Sequence, residues 1–334
     1  MNEKLGGALR RRLSALGLSK AAIDAAWPRW WSDDAQTSPS ATLELYFSVA
    51  RKLGIEPKSL TEGGTPQFVW QEQARFKHLT SETPQERAAI SSFGRAVGAL
   101  LLPLVAQVEL TKVPDSASLR GAILGTGRPF VALVDLLSLC WSLGIPVVHL
   151  RVLPRNQKRM ASMAVRIGEG GAILLARDSM YPASIAFYVA HELGHLVLGH
   201  VTEESAIVEL GTTPELGEDA EEKAADGFAL QLLTGSSDLK VLPESSDYNA
   251  PALASVVRQA ASELQIEPGT LAMSFGFSTG NWAVVNSAMH FIYGEEAPVW
   301  RVVNDIAARQ IDMTLVPKDS APFLESVLGL EPNL

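Results

Sequence analysis

The stretch from Tyr188 to His200 reads Tyr-Val-Ala-His-Glu-Leu-Gly-His-Leu-Val-Leu-Gly-His, and its centre, His191-Glu192-Leu193-Gly194-His195, constrains the chain more than any other segment. On an α-helix the step from His191 to His195 leaves the two side chains roughly 40° apart around the axis. Both imidazoles then leave one face and can meet a single metal ion. Glu192 stands beside them, able to take a proton from a water that the ion has acidified. Ala186, Val189, Ala190, Leu193, Leu196 and Val197 surround the polar trio with apolar side chains, which calls for a buried helix.

An ion that keeps an open position for water needs a third protein ligand. His200 does not suit the part. On a continued helix it lies roughly 900° beyond His191 and points elsewhere. The extended pattern with a third histidine wants Gly and His where this chain has Leu198 and Val201. His200 reads instead as a helix-end residue near unpaired carbonyls, where a partly cationic ring is favourable. A second helical stretch, Glu218 to Leu233, carries the better candidates. Glu222 falls on its apolar face with Ala225, Phe228, Ala229 and Leu232. An acid there is costly unless something pairs with it, and a metal would serve. Asp226, one turn on, could accept the outer ring N–H of a ligand histidine. Glu218 and Glu221 compete with Glu222, and a merely acidic helix start is the alternative to any site here.

HELGH, followed by Glu222-x-x-Ala225-Asp226-x-Phe228-Ala229 and an apolar Leu-Leu, resembles the ImmA/IrrE-type zinc metallopeptidases. Upstream, Leu143-Gly144-Ile145, the extended Pro146-Val147-Val148 and Gly171 to Leu175 stand in that family's order, so the likeness runs over roughly residues 115 to 245. The resemblance implies that His191, His195 and Glu222 are metal ligands and that Glu192 is the catalytic acid/base. It implies an α+β fold, mostly helical: a zincin-like metallopeptidase core with a small sheet, flanked by helical regions. It also implies an intracellular endopeptidase that cuts a repressor- or antitoxin-type regulator. Zn2+ is the expected ion, with Mn2+ able to compete where a carboxylate contributes.

A chain of 334 residues should hold two or three domains, and 47% hydrophobic against 19% charged residues is ordinary for a soluble protein. The net charge of −9 argues against a chain that coats nucleic acid without regard to sequence, though not against one small DNA-reading module. The lone Cys140 excludes an internal disulfide framework and fits a reducing cytosol. Arg10, Arg11 and Arg12 have no apolar run behind them, unlike a secretory signal. The most apolar stretch, Ala96 to Val108, is too short to span a bilayer. The expected location is cytoplasmic.

Taken in order, residues 1–62 read as a helical module: a helix from Leu5 to Leu16, another capped by Ser19, a third capped by Ser40 and ended by Gly54, and a short fourth. Ala50 to Leu60 resembles the end of a phage-repressor (XRE)-like helix-turn-helix domain, but Trp27 to Ser40 stands where the recognition helix belongs. DNA and a protein partner are thus both candidates for this module. Residues 67–112 read as a helical connector, 113–245 as the metallopeptidase domain, and 246–334 as a mainly helical region for substrate or regulation. Met160 to Gly168 and Gly171 to Arg177 form a hairpin whose free edge could align an extended peptide. In the last region only His290 and Tyr293 could polarise a scissile carbonyl, and neither matches a motif. Two rivals to the peptidase remain: a transcription regulator or partner-binding protein with a structural or sensory metal, and a metal-dependent hydrolase of a small molecule.

Overall fold

The computed structural model describes residues 5–70, 74–76, 83–106, 108–155, 160–202, 206–210, 220–242 and 248–330. Helices α1 (Leu5–Ala15) and α2 (Lys20–Ala26) open the chain, and the Ser19 hydroxyl caps α2 by accepting from the Ala22 N–H. Helix α3 (Pro39–Leu53) begins two residues earlier than expected. Ser38, not Ser40, supplies the capping hydroxyl, because Pro39 suits the first helical position, where no N–H is needed. Gly54 ends α3 at φ +67°, and α4 (Pro57–Thr61) follows. Residues 27–38, all described, hold only a short 3-10 turn over Asp33–Thr37, so no full helix occupies the place of a recognition helix.

Residues 67–110 are not wholly helical. Strand β1 (Ala74–Phe76) precedes α5 (Pro84–Leu101), which opens with reciprocal Thr83 and Glu86 caps. Next come α6 (Ser116–Leu124), α7 (Leu133–Ser142), β2 (Val147–His149) and the hairpin of β3 (Met160–Ile167) and β4 (Gly170–Leu175). Helix α8 (Pro182–Val197) carries HELGH, β5 (Ala206–Leu210) follows, and α9 (Ala220–Thr234) carries Glu222 and Asp226. The chain continues through α10 (Ala250–Leu264), α11 (Pro268–Thr279), α12 (Trp282–Tyr293), α13 (Val299–Gln310) and α14 (Ala321–Leu328). The fold is α+β and mostly helical, and among the described residues no helix is long and apolar enough to cross a membrane.

The five strands lie in the order β1-β5-β3-β4-β2, with β1/β5 and β2/β4 parallel and the two inner pairs antiparallel. Alternate side chains of a strand leave opposite faces, and here the two faces enter two different cores. Ala164, Ile173, Leu175 and Ile207 join α8, α9 and much of α10–α12. Met163, Val165, Leu174 and Val208 join α5, the amino-terminal helices and α14, where Phe93 and Phe323 meet edge to face. Gly94 and Gly98 let α5 lie against the sheet, since a Cβ at either would overlap Met163 or Val165. The sheet thus separates the amino-terminal helices from the helix that bears the histidines.

The expectation of a free hairpin edge fails. β3 and β4 are interior strands, paired outward with β5 and β2. The outer edge of β2 is itself engaged: Asn304 accepts from the His149 N–H at 2.7 Å and donates to the His149 carbonyl at 2.7 Å and the Leu328 carbonyl at 2.6 Å. Local alternation of residues shows a strand, but not which neighbours flank it.

Candidate metal centre

Helix α8 is buried nearly throughout, with His191 1%, Glu192 0% and His195 0% exposed. Its closest helical neighbour is α9, and Gly194 explains the approach. A Cβ at 194 would stand 3.2 Å from the Ala225 carbonyl oxygen and 3.2 Å from Phe228 Cβ, so any larger residue would push α9 away. With the two helices this close, one face of α9 is delivered onto the imidazoles of α8.

The result is a compact triangle. His191 Nε2 and His195 Nε2 lie 2.9 Å apart, Glu222 Oε2 is 3.4 Å from His191 Nε2, and Glu222 Oε1 is 3.5 Å from His195 Nε2. Asp226 Oδ1 lies 2.9 Å from His191 Nδ1, so it can accept the proton there and leave the Nε2 lone pair facing the triangle. Glu222 has only a tenth of its side chain exposed. Among the described residues these three form the one group of histidines and acids able to grip an ion. Glu221 is not part of it, and Glu218 lies outside the described residues.

Does the donor set fit a metal? Bonds of about 2.0–2.1 Å in tetrahedral array place ligand atoms about 3.4 Å apart, close to the two Glu222 spacings. The charge also fits. Glu192, Glu222 and Asp226 bring three carboxylates to a site largely closed to water, a costly arrangement that a divalent cation would offset. Burial opposes charge on His191, but hydrogen bonds to Asp226 and Glu222 and the nearby Glu192 charge outweigh it and push its pKa up to about 10. His195 goes the other way, lowered by burial and by the His191 and His200 charges despite Glu222. Burial would raise the Glu222 carboxyl, yet hydrogen bonds from His191 and His195 hold it far below the usual range.

Two contacts are not expressed by the motif. Ser162, fully buried on β3, donates its hydroxyl to Glu192 Oε1 at 2.6 Å. A serine inside the apolar run Met160 to Val165 was the available signal, since a buried hydroxyl needs a partner. His200 does not point away as helical extrapolation suggests. The helix stops at Val197, Gly199 adopts φ +75°, and the chain folds back until the His200 N–H donates to the His195 carbonyl at 3.0 Å. His200 Nδ1 then sits 2.9 Å from His195 Nδ1, a hydrogen bond in which one ring must carry the proton. His200 is outside the triangle but in contact with one of its members.

The two carboxy-terminal candidates go elsewhere. His290 is exposed on α12 with its ring edge-on to Phe291. Tyr293 donates its hydroxyl to Glu267 Oε1 at 2.7 Å and stacks on Tyr181. Cys140 is fully buried, and burial pushes its thiol up to about 12, which makes it unreactive.

Residues 140–273 match the family model Peptidase_M78, the IrrE N-terminal-like domain. Comparisons with curated proteins and with solved structures return no match. The matched segment holds β2 to β5, α8 and α9, the elements that assemble the triangle. Over residues 140–273 the chain is therefore similar to the IrrE N-terminal-like domain of the Peptidase_M78 family.

Proposed function

We propose that this chain is an intracellular endopeptidase in which His191, His195 and Glu222 hold a divalent ion and Glu192 is the general base. One observation carries the reading: two Nε2 atoms and a carboxylate from separate helices converge within hydrogen-bonding or near-ligand distance, with Asp226 behind His191. Zn2+ suits two imidazoles and one carboxylate, and Mn2+ competes for the same set. When bound, such an ion supplies Lewis acidity, lowering the pKa of a water and polarising the peptide carbonyl.

The residues of the chain do the rest. Glu192 removes the proton from the attacking water and delivers it to the leaving amine. The Ser162 hydroxyl holds Glu192 Oε1, which leaves proton transfer to the other oxygen. Asp226 holds His191 in the tautomer whose Nε2 is free to bind metal. The substrate class is a repressor or antitoxin-type regulator, with the amino-terminal module and the carboxy-terminal region selecting it. A cytoplasmic site of action agrees with a single, inert thiol.

A second reading has its own support. Glu192 is 0% exposed, which suits a structural or sensory ion in a DNA- or protein-binding regulator. Its DNA arm is weakened by the arginines of the module. Arg10 pairs with Asp24, Arg51 pairs with Asp319, and Arg12 donates to the carbonyls of Ser59, Leu60 and Gly64. Arg10 and Arg51 stay 37% and 53% exposed, so these acids compete with phosphate for the cations without taking them off the surface.

The deciding experiment incubates the metal-loaded full chain with each regulatory protein that co-purifies with it. Cleavage that a chelator abolishes and Zn2+ or Mn2+ restores supports the peptidase. Glu192→Gln should keep its ion and lose rate by about 10²–10⁴. A bound ion with no cleavage of any such partner, together with tight salt-dependent DNA binding by the wild-type chain, would establish the regulator instead.

A further inference from the structure

A cavity of about 520 Å³, open on one side, lies where α7, α8, α11, α12 and α13 meet. That volume is in the range of small-molecule sites. Its lining is mostly apolar, from Phe130, Val131 and Leu133 before and within α7 to Ala183 and Ala186 on α8. At its mouth, Val134, Met180 and Val302 are among the larger exposed apolar side chains, at 42%, 42% and 38%. Apolar residues clustered round a concavity mark a place where something binds, unlike isolated ones.

The charged groups of the cavity are all of one sign. Among the described residues Glu267 and Glu295 are its charged lining, and no lysine or arginine lines it. Glu267 is 8% exposed, and its Oε2 accepts from the Thr270 N–H at 2.8 Å and hydroxyl at 3.1 Å. Its Oε1 takes the Tyr293 hydroxyl, whose oxygen in turn faces the Ala183 N–H, so it is Oε1 that keeps a lone pair for a further donor. Burial and the Glu267 charge raise the Tyr293 phenol well above its ordinary range, so it stays a neutral donor to that carboxylate.

We infer that this cavity is a binding site for a small apolar molecule carrying a protonated amine, its body against the α7 and α8 walls and its ammonium group toward Glu267 and Tyr293. A fatty acid or other apolar carboxylate is disfavoured, because it would bring like charge to Glu267 and Glu295 with no cation to receive it. The site stands apart from the triangle: α8 contributes Pro182, Ala183 and Ala186 to it, ahead of His191. Ligand and histidines thus share a helix, but not its contacts.

The test is calorimetric titration of the full chain with naphthylmethylamine and, separately, with naphthoic acid, an equally apolar probe of opposite charge. It is run on chelator-treated and on metal-loaded protein, so it does not depend on peptidase activity. The amine should bind about tenfold or more tighter than the acid. Val302→Trp, at the exposed rim, should block the mouth and weaken the amine by about tenfold. Glu267→Gln should remove most of the preference for amine over acid. Equal binding of the two probes, amine binding unchanged in Val302→Trp, or no binding of the amine at millimolar concentration would each overturn the assignment.

Discussion

Asp226→Asn tests the layout of the centre without disturbing its shape. Asp226 is nearly buried, and its Oδ1 is 2.9 Å from His191 Nδ1. The substitution keeps the size of the side chain and removes its charge. A charge-assisted hydrogen bond in such a place is worth about 1.5–3 kcal/mol. Loss of the partner behind a metal-ligating histidine typically weakens the metal about 10–100-fold, or about 1.4–2.7 kcal/mol, so the two estimates agree. The assay is competition for Zn2+ with a chromophoric chelator, on the full chain at one pH. Glu221→Gln, on the same helix but outside the triangle, is the control and should leave affinity within about twofold. If Asp226→Asn binds Zn2+ as tightly as wild type, Asp226 does not orient His191. If Glu221→Gln loses as much as Asp226→Asn, the effect is a general one of acidic charge and the geometric argument fails.

Other outcomes follow from the same structure. Ser162→Ala should leave Zn2+ affinity intact and lower kcat on an identified substrate by about tenfold, with a shifted pH profile; unchanged kinetics would show that Glu192 needs no such support. Gly194→Val should cost about 1–3 kcal/mol of stability by overpacking and also weaken metal binding, because α9 must retreat; thermal unfolding of the metal-free protein and chelator competition read the two effects apart. Lys52, 1% exposed and bonded to Ser48, has its pKa lowered by burial to about 8, against an opposing pull from Asp319. Its folded pKa lies below the unfolded one, so between about pH 8 and 10.5 the unfolded chain holds more protons and native stability rises with pH. The stability difference between wild type and Lys52→Met should therefore move toward wild type by about 1–3 kcal/mol across that window; a flat difference in denaturant titrations would contradict it.

Sequence alone determined the features that local periodicity can express. His191, Glu192 and His195 sit at fixed angles on one helix, and the apolar positions around them require that helix to be buried. The same reasoning reaches the buried face of α9, since Glu222 shares it with Ala225 and Phe228. Local rules also supply most helix ends, such as the Ser19 cap and the Gly54 stop, and they miss by two residues where Ser38 and Ser40 compete around a proline.

Tertiary structure decided everything that depends on partners far apart in the chain. Whether Glu222 meets the histidines depends on how closely α9 lies to α8, which Gly194 permits but no periodicity states. Ser162 marks itself in the sequence as a hydroxyl in an apolar run, but its partner is settled only when β3 is laid against α8. His200 stays outside the ligand group as its spacing implies, but it turns back onto His195 because one glycine in a left-handed turn reverses the chain, and helical arithmetic ends where the helix ends. The sheet order was out of reach for the same reason: β1 and β5 are short, far apart in sequence and pair in parallel only once the chain has folded. Residue spacing fixes angles within an element, whereas distances between elements come from the packing of all of them at once.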